Sequence, residues 1–272
     1  MTGKPFLAAA VQLTSTSDEE HNWEEARTYV RQAVSAGARF VATPENTSFL
    51  GPSEEKVRRA EPLDGTTATR FAGLASECGV FLLLGSFNES SDESERCFNS
   101  SVLFGPEGQR LAVYRKIHLF DIDLSDEVSV QESVTIKPGS EAVVVDTDLG
   151  ALGLSICYDL RFAELYRRLS DQGAELLCVP SAFTRTTGRA HWELLLRARA
   201  VENQCFVLAA AQCGKHDDEG LRETWGHSAI IDPWGEVLAM AGEEPGFVAA
   251  EIDPSRVAEV RRAMPVSEHR RM

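Results

Sequence analysis

The sequence predicts an α/β fold, a sandwich of mixed β-sheets with flanking helices, in one domain that spans residues 1–272. Apolar runs typical of buried strands alternate with amphipathic segments typical of helices. Strand pairs joined by short turns are mixed into this alternation, which disfavours a purely parallel sheet. No linker of biased composition and no repeat divides the chain.

The first part of the chain predicts three strands and two helices. Serine followed three residues later by glutamate, at Ser17 and Glu20, is the pattern of a capping box at a helix start. Because proline cannot continue a central strand, Pro44 ends the second strand and leaves Glu45 at its carboxyl end. The predicted elements are, in order, a strand at 6–13, a helix that ends at Gly37, a strand at 39–43, a helix from Thr66 to Cys78 that Gly79 caps, and a strand at 80–87.

The rest of the chain adds hairpins and further strands and helices. Segments 97–104 and 109–116 flank the turn sequence GPEG and predict a hairpin whose second strand ends at Lys116. A loop rich in Asp and Ser follows, and then a strand pair whose second strand ends at Cys157. That pair is expected at 141–147 and 150–156, with further strands in 174–180, 205–212, 227–232 and 236–242, helices near 161–172 and 190–203, and a last helix that Asp253 and Pro254 begin.

The composition argues against several classes of partner. A net charge of −15 disfavours nucleic acid, because a polyanion is repelled. The six cysteines and six histidines show no metal-ligand spacing, and no glycine-rich phosphate-binding motif is present, so we expect neither metal nor cofactor. The apolar stretch FLAAAV is too short to span a membrane and precedes no signal-cleavage pattern. We therefore expect a cytoplasmic protein with reduced thiols and no membrane partner.

Three residues of complementary chemistry fall where predicted strands give way to loops, namely Glu45, Lys116 and Cys157. A thiolate that attacks a carbonyl carbon needs a base for the thiol proton, a cation or donor for the developing oxyanion, and a lowered thiol pKa. Each residue also has a plain alternative: a solvated turn, a surface charge, or a cysteine that fills the core. The coincidence of position alone does not decide between them.

Three segments of the chain resemble the signature segments of the carbon–nitrogen hydrolase, or nitrilase, superfamily. They are TPEN around Glu45, YRKIHLFDID around Lys116 and ICYDLRFAEL around Cys157. The similarity runs through nearly the whole chain and points to the Nit-type amidases. This resemblance implies an α-β-β-α sandwich, a Glu-Lys-Cys triad, and a homodimer or higher homo-oligomer formed through the sandwich edge. It also implies that Glu132 orients the lysine.

The roles expected from chemistry agree with the roles that the resemblance implies. Glu45 takes the thiol proton, delivers it to the leaving amine, and later activates water against a thioester. Lys116 stabilises the thiolate and then the oxyanion, together with the backbone N–H of Tyr158. Two carboxylates beside Lys116 favour its charged form.

Substrate-binding candidates follow from the same resemblance. In similar amidases the residues that match Arg161 and Thr187 contact a substrate carboxylate, and an arginine fork suits that role; the alternative is an ion pair between Arg161 and Glu164. Phe183 lies in the same segment as Thr187 and is a further candidate. Arg189 stands where omega-amidases tend to have proline, and we expect it to receive the carboxylate of a peptide-like leaving group.

The expected function is a cofactor-free amidase that acts on the ω-amide of a 2-oxo dicarboxylate. Segments 209–216 and 265–271 resemble deaminated glutathione amidases, whereas 116–123 and 131–139 equally resemble omega-amidases that act on 2-oxoglutaramate. We favour deaminated glutathione, with 2-oxoglutarate and cysteinylglycine as products. The alternatives are an omega-amidase, a nitrilase acting on nitriles, and a binding or scaffold protein with the same fold. A Cys-His protease would use His118 or His191, but we expect both to be hydrogen-bonded structural residues.

Overall fold

A computed structural model describes residues 4–125, 128–216 and 223–271. The strands of this part of the chain are β1 (Phe6–Gln12), β2 (Ala38–Ala42), β3 (Phe81–Glu89), β4 (Phe98–Phe104), β5 (Arg110–Arg115), β6 (Asp121–Ser125), β7 (Val128–Gln131), β8 (Val143–Thr147), β9 (Gly150–Leu154), β10 (Leu176–Cys178), β11 (Phe206–Ala209), β12 (Cys213–Lys215), β13 (Glu223–Trp225), β14 (Ala229–Ile231), β15 (Val237–Met240) and β16 (Gly246–Ile252). The helices are α1 (Glu19–Ser35), α2 (Ser53–Arg58), α3 (Thr66–Cys78), α4 (Ala163–Asp171), α5 (Arg185–Asn203), α6 (Pro254–Ala263) and α7 (Val266–His269), with 3₁₀ turns at Glu132–Val134 and Cys157–Arg161.

Two six-stranded sheets contain most of the strands. The first has the order β16-β1-β2-β3-β4-β5, and the second has the order β15-β14-β11-β10-β9-β8. In each sheet the three central parallel strands, β1-β2-β3 and β9-β10-β11, are flanked by antiparallel ones. Both sheets are therefore mixed, as the hairpins among the predicted elements indicated.

The sheets pack face to face and the helices cover their outer faces. Alternate residues of β1 belong to different cores, because successive side chains of a strand point to opposite faces. Ala8 and Ala10 pack in the core between the sheets, whereas Ala9 and Val11 pack with residues of α1 and α3. Helices α4 and α5 contribute Tyr166, Trp192 and Leu196 to the second sheet's side of the core. The architecture is an α-β-β-α sandwich, so the predicted fold class is confirmed.

Local signals identified several element ends correctly. The hairpin of β4 and β5, the strand pair of β8 and β9, and the bounds of α3 are confirmed. Asp253 caps α6, and its carboxylate accepts a hydrogen bond from the N–H of Ser255 at 2.9 Å. The expected capping box is wrong, because Asp18 rather than Ser17 is the N-cap of α1 and accepts from the N–H groups of Glu20 and His21.

Other elements differ from the prediction. The Asp- and Ser-rich segment after Lys116 forms the hairpin of β6 and β7, although residues 126–127 lie outside the described residues. Strand β16 was not predicted, yet it pairs with β1 along its whole length and forms the sheet edge. Helix α5 begins five residues earlier than expected, since Thr184 caps it. Among the described helices none is long and apolar enough to cross a bilayer.

Candidate active site

The structure brings Glu45, Lys116 and Cys157 together. Glu45 and Lys116 follow strands β2 and β5 of the first sheet, whereas Cys157 follows β9 of the second. The Lys116 Nζ donates to Glu45 Oε1 at 2.8 Å, and the charges of Glu45 and Lys116 both act on the thiol of Cys157. All three side chains are buried, with exposed fractions of 3, 2 and 8%. The two sheets therefore hold a carboxylate, an ammonium and a thiol in a place shielded from water, where charge interactions are strong.

Glu132 is the second carboxylate on Lys116. The Lys116 Nζ donates to its two oxygens at 3.0 and 2.9 Å, and the backbone N–H of Phe120 donates to Glu132 Oε2 at 2.7 Å. Burial alone would lower the pKa of Lys116, but the negative charges of Glu132 and Glu45 outweigh it and raise this pKa well above its ordinary value. Burial alone would raise the pKa of Glu132, but the charges of Lys116 and buried Lys56 lower it. The site therefore contains a charged ammonium between carboxylates.

Cys157 begins a 3₁₀ turn three residues after strand β9 ends. Its φ of 49° is in the left-handed region, which is uncommon for a residue with a side chain and often marks functional sites. The backbone N–H of Cys157 donates to the carbonyl of Pro180 at 2.9 Å and holds this turn against the next strand connection. The turn places Cys157 where the charges of Glu45 and Lys116 act on its thiol.

The pKa of the Cys157 thiol lies well above its ordinary value. Burial is the largest cause, the charge of Glu45 adds to it, and the charge of Lys116 opposes both. The ammonium of Lys116 acts in the direction expected of a group that stabilises the thiolate, but burial and Glu45 outweigh it. Attack by the sulfur therefore needs a base for the thiol proton, and Glu45 is the neighbouring carboxylate that can serve as one.

Asp159 ties the turn that carries Cys157 to the strand end that carries Lys116. Its buried carboxylate accepts from the N–H of Ile156 at 2.9 Å, from the hydroxyl of Tyr114 at 2.7 Å, and from the N–H of His118 at 3.0 Å. The Nδ1 of His118 lies 2.7 Å from the same carboxylate. His118 is therefore a hydrogen-bonded structural residue, as expected. Tyr114 and His118 flank Lys116 two residues to either side, and this alternation was the available signal for the contact.

Glu45 has further donors that the sequence did not reveal. The Nδ2 of Asn99 donates to Glu45 Oε1 at 2.9 Å, and the backbone N–H of Ala182 donates to Oε2 at 2.9 Å. The Nε2 of Gln212 holds the Glu45 backbone carbonyl at 2.9 Å. These donors come from β4 and from loops of the second sheet, so no local pattern around Glu45 could have indicated them.

Arg161 lies against an aromatic wall. Its guanidinium is 5.3 Å from the ring centre of Phe183 and 5.7 Å from that of Tyr158, which favours a cation. Its Nη1 lies 3.3 Å from Nδ1 of His191. No carboxylate of the described residues, Glu164 included, is within ion-pair distance of Arg161, so the alternative of an ion pair with Glu164 is wrong.

Thr187 and Arg189 are on different sides of α5. Thr187 is nearly buried, and its hydroxyl lies 2.8 Å from that of Thr184. Two residues of an α-helix are separated by a rotation of about 200°, so Arg189 points away from the side of Thr187. It is exposed and lines a surface cavity with Trp225 and Met240. The structure therefore does not bring Arg189 into the cluster with Arg161, and its position disfavours the expected contact with the carboxylate of a leaving group.

Known proteins are similar to this chain over nearly its whole length. Residues 7–262 match the family model of the carbon–nitrogen hydrolases. A deaminated glutathione amidase of Synechocystis sp. (strain PCC 6803 / GT-S) is 46% identical over 270 residues, which are 98% of this chain and 98% of that protein. The Omega-amidase NIT2 of Homo sapiens is 41% identical over 268 residues, which are 98% of this chain and 95% of that protein.

A solved structure resembles the fold closely. The NitFhit protein of C. elegans superimposes with a TM-score of 0.93 at 40% sequence identity. The match covers 100% of this chain and 66% of the NitFhit chain. The similarity in three dimensions thus extends over all of the sandwich and over the segments that carry Glu45, Lys116 and Cys157.

Proposed function

This chain belongs to the carbon–nitrogen hydrolase family, and we propose that it is an amidase whose nucleophile is Cys157. The observation that carries the proposal is the buried contact of Lys116 with both Glu45 and Glu132, at 2.8 and 2.9 Å, beside the thiol of Cys157, on which the charges of Glu45 and Lys116 act. A binding or scaffold protein has no need to bury such a set of charges, since burial of charge costs free energy. Catalysis explains why the set is present.

The first half of the proposed reaction forms a thioester. Glu45 removes the thiol proton as the sulfur of Cys157 attacks the amide carbon, so the carbon–sulfur bond forms and a tetrahedral oxyanion develops. Lys116 and the backbone N–H of Tyr158 stabilise that oxyanion. Glu45 then gives the proton to the amide nitrogen, the carbon–nitrogen bond breaks, and the amine leaves.

The second half of the reaction releases the acid. Glu45 removes a proton from water, whose oxygen attacks the thioester carbon, and the thiol of Cys157 regains its proton when the carbon–sulfur bond breaks. Glu132 takes no part in proton transfer in this scheme. It holds the ammonium of Lys116 through both carboxylate oxygens and so positions it for the oxyanion in each half.

We propose a 2-oxo dicarboxylate ω-amide as the substrate. Arg161 has no carboxylate partner among the described residues and lies over Phe183 and Tyr158, so it suits a substrate carboxylate, with Thr187 as a second donor. The names of the two amidase relatives support either deaminated glutathione or 2-oxoglutaramate. We favour deaminated glutathione, which would yield 2-oxoglutarate and cysteinylglycine; an omega-amidase is the alternative.

The substrate proposal predicts a specific kinetic result. Deaminated glutathione should have a higher kcat/KM than 2-oxoglutaramate, and Arg161→Ala should lower kcat/KM for both by about thirtyfold, equivalent to about 2 kcal/mol for a charge-assisted pair. Arg189→Ala is the matched control. Its position on the other side of α5 predicts an unchanged ratio between the substrates.

Three results would contradict parts of this assignment. Hydrolysis of neither compound would contradict the substrate class, and a higher kcat/KM for 2-oxoglutaramate would favour the omega-amidase. A loss in Arg189→Ala confined to deaminated glutathione would restore Arg189 as a contact for the leaving group.

We also propose a homodimer, and the exposed residues favour an interface on the outer face of α5 rather than at the sandwich edge that the resemblance implied. Leu194 and Val201 lie seven residues apart on this face and are 68 and 43% exposed. Glu193 and Arg197 place charges of both signs beside them, so two copies related by a two-fold axis can pair these charges. We also propose a cytoplasmic location, because all six cysteines are free, which suits a reducing compartment.

The dimer proposal predicts that Leu194→Glu together with Val201→Glu gives a monomer. Two buried carboxylates facing their copies would repel one another across the interface. Sedimentation velocity at micromolar concentration measures the size. Val134→Glu is the control, because Val134 is 60% exposed and belongs to the turn after β7. A monomeric wild type, or a dimeric double variant, would contradict the proposal.

A further inference from the structure

Asn99 on strand β4 lies beside both carboxylates of the candidate active site. Its side chain is 1% exposed, and its Nδ2 lies 2.9 Å from Glu45 Oε1 and 3.5 Å from Glu132 Oε1. Because both of these neighbours are acceptors, the amide must present its NH₂ group to them and not its carbonyl oxygen. The orientation of the Asn99 side chain is therefore fixed by the charges that it faces.

The backbone of Asn99 contacts Lys116, the residue that lies between the two carboxylates. Its carbonyl oxygen accepts from the N–H of Lys116 at 2.9 Å, at the point where β5 ends next to β4. One buried residue thus holds the start of the Lys116 side chain through its main chain and the Glu45 carboxylate through its side chain. A shift of Asn99 would change the separation of the ammonium and the base.

The charges around Asn99 explain why a neutral donor is useful there. Glu45, Glu132 and the thiol of Cys157 share the ammonium of Lys116, and Lys56 adds a positive charge that acts on Glu132. A base must be ionised to accept a proton, but burial favours the neutral form of a carboxyl group. A third ammonium or guanidinium would ionise Glu45 but would also weaken it as a base, whereas an amide donates a hydrogen bond and adds no net charge.

We propose that Asn99 is a positioning residue that keeps Glu45 ionised and directed at Cys157 while Lys116 is shared with Glu132. The proposal rests on the proposed function in that Glu45 is taken as the base for the thiol. It assigns Asn99 no contact with the substrate. Its effect is transmitted through Glu45, so it should appear in the pH dependence of thiol reactivity.

The test measures alkylation of Cys157 by iodoacetamide and kcat/KM, each from pH 4.5 to 9. Asn99→Leu keeps a similar volume and removes the donor, so Glu45 should bind a proton more readily. We expect the acid limb of both profiles to move up by about one pH unit, equivalent to about a tenfold lower rate below the limb. Asn99→Asp should move the limb in the same direction, because a third carboxylate disfavours the charge on Glu45.

Ser101→Ala is the matched control for these variants. Ser101 is buried on the same face of β4, and its hydroxyl donates to the carbonyl of Leu84 at 3.2 Å, away from the two glutamates. Loss of this donor should leave the pH profiles in place. An acid limb that stays in place in both Asn99 variants would overturn the proposal, whether or not the rate also falls at every pH.

Alkylation also separates this proposal from the proposed function. The reaction needs only the thiol and its base, so its profile reports on Asn99 and Glu45 whether or not an amide is hydrolysed. A shifted alkylation profile in a protein that hydrolyses neither amide would retain the role of Asn99 and reject the substrate. Hydrolysis of an amide together with an unshifted alkylation profile would retain the proposed substrate and reject the role of Asn99.

Discussion

Cys157→Ser should lose turnover of the amide substrate by at least about a thousandfold, equivalent to about 4 kcal/mol of transition-state stabilisation. The pKa of the thiol is already raised by burial and by Glu45, so the site depends on transfer of its proton at the moment of attack. A hydroxyl group is far harder to deprotonate and is a weaker nucleophile. The measurement is kcat at saturating substrate, with circular dichroism to verify the fold.

Cys178→Ser is the matched control for that prediction. Cys178 is a fully buried cysteine of β10 whose pKa is raised to about 12 by burial alone. It should retain kcat, since it is next to none of the reacting groups, although its stability should fall because a buried hydroxyl replaces a thiol. Turnover by Cys157→Ser within a few fold of the wild type would reject Cys157 as the nucleophile.

Much of the fold was predictable because its signals are local. The run at β1 is apolar on both faces, and the structure explains this by its two cores, with Ala8 on one side and Ala9 on the other. Strand β16 lacked such a signal, because its residues are mostly half buried and it owes its place to pairing with β1, some 240 residues earlier in the chain. The hairpin of β6 and β7 was missed since Asp and Ser are typical of loops.

In the candidate site, too, residues with a local signal in the sequence were predicted and residues that depend on distant partners were not. Glu45, Lys116 and Cys157 were candidates because each follows a strand and carries reactive chemistry, and the resemblance to the nitrilase superfamily favoured them over the plain alternatives. Asn99 and Asp159 were not predicted, because their roles depend on partners 54 and 45 residues away in sequence. Arg189 was assigned because it stands where omega-amidases tend to have proline, and that resemblance does not reveal on which side of α5 the residue lies. Resemblance identifies reactive residues, whereas the contacts that position them emerge only from the fold.

Lys116→Met should lower kcat by about a hundredfold or more, equivalent to about 2.7 kcal/mol, because the oxyanion loses its cation. It should also destabilise the fold by about 3 to 5 kcal/mol, the range for removing one partner of a buried ion pair. Lys116 is 2% exposed, and its loss leaves Glu45 and Glu132 buried without it. The control is Lys137→Met, which breaks contacts with exposed Asp92 and partly exposed Glu93 and should leave kcat unchanged.

The pH dependence of stability distinguishes loss of this charge from a simple packing defect. In the wild type the lowered pKa of Glu132 contributes stability above about pH 4.3, the usual pKa of a glutamate, and the raised pKa of Lys116 contributes stability below about pH 10.4. Both contributions are complete between these limits, so they add no slope to Tm from pH 5 to pH 8.

In Lys116→Met the two buried carboxylates repel one another, and the apparent pKa of the pair should rise. A raised acid pKa means that the folded state binds more protons than the unfolded state, so stability is gained as pH falls. The Tm difference from the wild type should therefore shrink from pH 8 to pH 5, and a difference that stays constant would show that Lys116 does not hold these carboxylates in their charged form.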